Sequence, residues 1–121
     1  MAGHNETGKK GELLAAIWLK ANGYEILFVN WRYSHYEIDI IATRNGILHF
    51  IEVKTRKTTR FGYPEDDVSK KKFASLLNAG EEFLYQYPGW TRVQYDVLSI
   101  TIVPGQSPEY YLIEDVYHYD L

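Results

Sequence analysis

Leu14, Ile17, Trp18 and Ala21 recur at helical spacing, and this period predicts a helix from Thr7 to Ala21 that Gly23 brings to an end. The pattern then changes to short apolar runs. Tyr24 to Trp31 reads as a first strand, and Glu37 to Thr43 and Ile47 to Thr55 as two more joined by Arg44-Asn45-Gly46. Asn-Gly between two such runs is a strong hairpin signal, because both turn residues must take positive φ. A loop from Arg56 to Asp67 carries Gly62 and Pro64. Helical spacing returns from Val68 to Gln86, with Val68, Lys72, Leu76, Ala79 and Phe83 on one face and Pro88 as the stop. Arg92 to Val103 reads as a long strand, Pro104 to Pro108 as a turn, and Tyr110 to Asp115 as a last strand. The order α-β-β-β-α-β-β predicts an α/β domain, a mixed sheet flanked by helices, formed as one unit over residues 1–121.

The hairpin gives the charges a geometry. With a two-residue Asn45-Gly46 turn, Arg44 faces Ile47, Asp39 faces Glu52 and Glu37 faces Lys54. Side chains alternate along a strand, so all four charges are expected on one face. Glu37 opposite Lys54 is an ordinary pair. Asp39 opposite Glu52 is not, because like charges across a sheet destabilise it. Two carboxylates about 5 Å apart share either a proton or a cation. Ile38, Ile40, Ile41, Phe50, Ile51 and Val53 surround them and keep water from screening the repulsion. A divalent cation such as Mg²⁺, or Mn²⁺ in its place, relieves it, taking one or two carboxylates plus water and phosphate oxygens. Lys54 points the same way and can offset charge on a phosphoryl group. Glu12 lies at the edge of the first helix's apolar stripe. Two places are open to it: a solvated helix position, or one reaching over the sheet to the same site. Lys72, on the apolar face of its helix, needs an acidic or phosphate partner or must extend its ammonium to solvent.

Composition changes this picture in one respect. The net charge is −3, which does not mark the whole chain as a nucleic-acid binder. Yet seven of the thirteen Lys and Arg residues fall between Lys54 and Lys72, and none lies from Val93 to Leu121. A basic strip on an acidic chain suits a phosphate-facing surface. There are no cysteines, which excludes disulfides and thiolate metal sites and fits a cytoplasmic location. The apolar run from Leu13 to Leu19 is too short for a membrane span, so no membrane association is expected. His4, His35, His49 and His118 lack ligand spacing, which argues against zinc. Gly3-x4-Gly8-Lys9 lacks the following Ser or Thr and the preceding strand of a phosphate loop.

Glu12, Glu37-Ile38-Asp39-Ile40-Ile41-Ala42, Phe50-Ile51-Glu52-Val53-Lys54-Thr55-Arg56, Phe61-Gly62 and Lys72 together closely resemble the YraN-like family of small bacterial proteins. Gly23-Tyr24, Asn30-Trp31-Arg32 and Tyr95-Asp96-Val97 add to the likeness, which runs from Gly11 to about Ile100. That family is similar to the PD-(D/E)XK nucleases, archaeal Holliday-junction resolvases in particular. The resemblance implies a restriction-endonuclease-like core, with Asp39 and Glu52 as metal ligands, Lys54 as the catalytic lysine and Glu12 as the carboxylate completing the site. Glu37, Arg56 and Lys72 match family positions without a settled role. Two positions depart from the pattern: Tyr36 stands where the family usually has glycine, and Ile38 where the wider motif has proline.

The expected function is therefore metal-dependent endonuclease-like action on DNA phosphodiester bonds, branched DNA included. The alternative is a non-catalytic nucleic-acid-binding module of the same fold. Glu37 supports the site, and Arg32, Arg56, Lys57, Arg60 and Lys72 are the candidate substrate contacts. A third reading is an interaction protein docking through its acidic, tyrosine-rich tail. Cutting a two-fold junction symmetrically takes two sites, so a homodimer is expected, with Trp90 and the tyrosines from Tyr110 to Tyr119 as its candidate surface.

Overall fold

In a computed structural model, which describes residues 2–57 and 70–118, helix α1 (Ala2–Ala21) leads into strands β1 (Glu25–Tyr33), β2 (Tyr36–Arg44) and β3 (Ile47–Arg56). Helix α2 (Lys70–Gln86), strands β4 (Val93–Thr101) and β5 (Glu109–Ile113) and a short 3-10 turn (Val116–His118) follow. The expected element order holds. Val68, Arg60 and the Phe61-Gly62 pair lie outside the described residues. The five strands form one sheet in the order β1-β2-β3-β4-β5, antiparallel throughout except for the parallel pair β3–β4. A parallel pair needs a crossover, and α2 supplies it. No helix among the described residues is long and apolar enough to cross a membrane.

Local chemistry explains the corners. Asn45 and Gly46 both take positive φ, 54° and 77°, as a primed hairpin turn requires. After α1 the Tyr24 amide donates to the Leu19 carbonyl and the Gly23 amide to that of Lys20, with Gly23 at φ 88°. That left-handed cap satisfies carbonyls the helix would otherwise leave open.

Each face of the sheet buries one core. On the α2 face, Ile41, Leu48, Phe50 and Val97 pack with Phe73, Leu76, Ala79 and Phe83. On the α1 face, Ile40, Ala42, Ile51, Leu98 and Ile100 pack with Ala15 and Leu19. Each fully buried Val, Leu, Ile or Phe among these contributes about 1.5–3 kcal/mol relative to exposure. The stripe expected on α1 is rotated in the structure. Ile17 is 56% exposed and Ala21 is also exposed, while Ala15 and Leu19 are buried. The cause is close packing at Gly11, where an added Cβ would collide with the Thr55 side chain. Small residues at Gly11 and Ala15 let α1 sit low on β3, and they choose the buried face.

Candidate functional site

The β2–β3 ladder runs from Arg44 opposite Ile47 to Ile40 opposite Ile51, the register expected from the turn, and there it ends. Beyond it β2 keeps pairing with β1, Ile38 with Trp31 and Glu37 with Arg32. Meanwhile β3 keeps pairing with β4, from Glu52 opposite Val97 to Arg56 opposite Thr101. The two strands fork at Asp39 and Glu52. Strict alternation also fails at this point, since Ile38 packs in the α2-side core and Ile40, two residues on, in the α1-side core.

The fork opens into a cleft of about 760 Å³. Glu12 of α1 and Lys72 of α2 both line it, as do Glu37, Asp39 and Glu52 from the sheet. In place of a ladder bond, the Val53 amide donates to Asp39 Oδ2 at 2.8 Å. The pattern reading thus places Asp39 and Glu52 on neighbouring antiparallel strands, as observed, but misses the side-chain bond that replaces the rung between them.

The electrostatics are strained in one direction. Burial pushes the Asp39 carboxyl up to about 8, the Glu52 carboxylate adds to this by charge and by a side-chain hydrogen bond, and only the Val53 amide opposes it. Glu12 is raised as well, by burial and then by Glu37 and Glu52, with Arg32 pulling the other way. Lys54 is lowered by burial and by the neighbouring Lys72, against the pull of Glu52 and Asp39. Lys72 is raised chiefly by Glu52, whose Oε1 lies 3.3 Å from its Nζ. The partner required by a lysine on that helix face is therefore Glu52.

One expected pair does not form. Glu37 bonds Arg32 across β1–β2 at 3.3 Å instead of Lys54, because the strands have already parted where Glu37 and Lys54 would meet. Arg32 is exposed beside the cleft, Arg56 is half-buried at the end of β3 with its carbonyl bonded to the Ile102 amide, and Lys57 is exposed. Among the described residues no group of three His, Asp or Glu side chains forms a ready metal cage. The donor set still fits a hard cation. Two carboxyl groups, one of them raised by burial and then by the other, are oxygen ligands of the kind Mg²⁺ uses alongside water and phosphate once the proton has left.

Sequence reasoning passed over two features. His49 Nδ1 lies 2.7 Å from Asp96 Oδ2 in full burial, a pair 47 positions apart that no spacing rule shows. The cleft wall on α2 continues through Lys71, Ser75 and Asn78, whose spacing marks a polar stripe beside the apolar one.

Residues 11–100 match the model of "Uncharacterised protein family UPF0102". The chain belongs to that family. The UPF0102 protein of Christiangramia forsetii is 44% identical over 100 residues, covering 83% of this chain and 84% of its own. That of Phocaeicola vulgatus is 43% identical over 108 residues, covering 89% and 88%. A UPF0102 protein of Leifsonia xyli subsp. xyli is 40% identical over 112 residues, covering 90% and 93%. The YraN-like resemblance of the motifs names this same family. The UPF0102 match takes in Glu12, Asp39, Glu52, Lys54 and Lys72 and stops before β5.

Proposed function

We propose that this UPF0102 protein is a metal-dependent, endonuclease-like phosphodiester hydrolase that acts on DNA. The observation that carries the reading is the half-buried Asp39 carboxyl, set between Ile38 and Ile40 where the strands fork and raised to about 8 by burial and by Glu52. A pair that costs stability and sits in a cleft lined by Lys71 and Lys72 is better explained by a ligand than by folding. Asp39 and Glu52 are the residues that would hold Mg²⁺ or Mn²⁺, which when bound supplies charge to a phosphate oxygen and acidifies a water.

The chain's own groups do the rest. Lys54, partly desolvated beside the carboxylates, places an ammonium where a phosphate gains negative charge. Lys72 orients the Glu52 carboxylate. Glu12, carried in by the close approach of α1, offers a third carboxyl that can hold a water or its proton. Lys57 and Arg32 present positive charge outside the cleft to the backbone, and Arg60, outside the described residues, continues the run of basic residues in the sequence. We assign branched DNA as the preferred substrate and a homodimer as the cutting form, in a cytoplasmic setting. Within the chain Tyr110 stacks on Trp18 and Tyr117 donates to the Phe73 carbonyl. Among the described residues, Tyr111 and Trp90 therefore remain as exposed members of the proposed contact surface, and Tyr119 lies outside them.

A second reading, the non-catalytic binding module, is favoured by the Lys72–Glu52 bridge, which already gives Glu52 a cation. Titration of Mg²⁺ and Mn²⁺ with linear, flapped and four-way DNA decides between them. Cleavage that Lys54→Ala abolishes while binding persists supports the hydrolase. Binding without cleavage under every condition supports the module, and absence of both removes nucleic acid from the reading.

A further inference from the structure

Tyr33 pairs with Tyr36 across the β1–β2 turn, whose Ser34 sits at φ 56°. The turn carries His35 out to the cleft rim. The His35 ring lies on the Tyr36 ring, with centroids 4.2 Å apart and planes tilted by 31°. Tyr36 is braced from behind by the α2-side core, while His35 is exposed. The same cleft is also lined from α2 by Ser75, with its hydroxyl, Asn78, with its carboxamide, and Lys71. Asp39 and Glu52 line it as well.

We infer that this cleft receives an unpaired nucleobase of single-stranded DNA, stacked on His35 and read at its edge by Asn78 and Ser75, next to the phosphate at the carboxylates. The inference rests on the hydrolase reading for the position of that phosphate. Its own warrant is the wall chemistry. A braced, exposed ring offers a π-face that every base matches, and stacking of this kind is sequence-tolerant. A carboxamide offers both a donor and an acceptor to a base edge. A paired base in a duplex presents neither its faces nor its Watson–Crick edge, so only an unstacked nucleotide uses both the ring and the carboxamide. The cleft volume, about 760 Å³, falls among those that enclose a small ligand and not a double helix. The substrate class that follows is DNA with unpaired nucleotides at the cutting point, as in a flap, a gap or an open branch.

The test is fluorescence anisotropy of the full chain with a labelled oligothymidine and with a matched duplex, in Ca²⁺ so that binding is read apart from cleavage. Wild type is expected to hold the oligothymidine more tightly than the duplex. His35→Ala should weaken the oligothymidine by roughly 5- to 100-fold, the range of one lost stacked base. His35→Phe, which keeps the ring, should restore it, and duplex affinity should change little in either variant. An unchanged oligothymidine affinity in His35→Ala overturns the inference. So does an equal loss on single strand and duplex, which would mark His35 as a general backbone contact. Because the readout is affinity, the full pattern in a protein that never cleaves upholds this inference while the hydrolase reading fails. Cleavage indifferent to His35 does the reverse.

Discussion

Asp39 and Asp96 are both acids on interior strands of one sheet, and they are treated in opposite ways. Asp96 is surrounded by donors. His49 Nδ1 lies 2.7 Å away, the Gln94 amide donates at 2.9 Å and the Asp115 backbone amide at 2.8 Å. Around this cluster Tyr24 sets its ring edge-on to His49, and the Arg44 guanidinium lies 4.4 Å from the Tyr24 ring centroid. Asp39 has one backbone donor and two carboxylate neighbours. The first arrangement ties β3, β4 and the segment after β5 together. The second opposes the sheet it sits in. An acid that a fold satisfies is structural; one that it frustrates is, on the function proposed above, held for a cation.

Breaking the two acids should separate these roles. Asp96→Ala leaves the buried His49 without its carboxylate and removes one acceptor from the Gln94 and Asp115 amides, and should cost about 3–5 kcal/mol of unfolding free energy. Urea denaturation measures it, and a loss below about 1 kcal/mol would make the cluster no more than an ordinary hydrogen bond. At the other acid the large effect falls on chemistry. Lys54→Ala should reduce cleavage by about 100-fold or more, as removal of one charge-stabilising donor does, with the denaturation midpoint nearly unchanged.

Smaller and opposite in sign is Asp39→Asn, which should leave the metal-free protein as stable as wild type or up to about 1 kcal/mol more stable. The pH profile sharpens this. A carboxyl near 4 in the unfolded chain and raised to about 8 in the fold binds its proton more tightly when folded. Its contribution is therefore fully present below about pH 4 and lost as pH rises towards 8. Metal-free wild type should lose stability over that interval and Asp39→Asn should lose less, as melting temperatures across pH would show. Metal affinity should rise over the same interval as the proton leaves. The smallest effect is at the rim, where Lys57→Ala should flatten the salt dependence of DNA binding by about 0.7–0.9 of a slope unit.

How much of this was legible depends on how local the cause is. The Asn45-Gly46 turn, the register from Arg44 to Ile40 and the order of elements follow from rules that act over a few residues. The rule fails at Asp39, because a side chain took the Val53 amide and each strand went on with a different neighbour. Glu37 was assigned the wrong partner for the same reason. Nothing in β2 and β3 alone says that they part. The buried stripe of α1 was misplaced because it depends on how closely Gly11 approaches Thr55, a contact between distant segments. His49 and Asp96 meet only once α2 has crossed over and laid β4 beside β3.

The Val53 amide has a consequence for watching the site in solution. Its hydrogen points at the Asp39 Oδ2 side-chain oxygen rather than at a backbone carbonyl of the neighbouring strand, so its bond strength follows the charge on that oxygen. A proton or a cation arriving there competes for the same lone pairs. Val53 should then report occupancy through its amide chemical shift and its exchange with deuterium, with no label and no substrate, while the amides of Ile51 and Ala42 in the closed ladder stay silent. The rung missing from the sheet is a gauge that the backbone already carries.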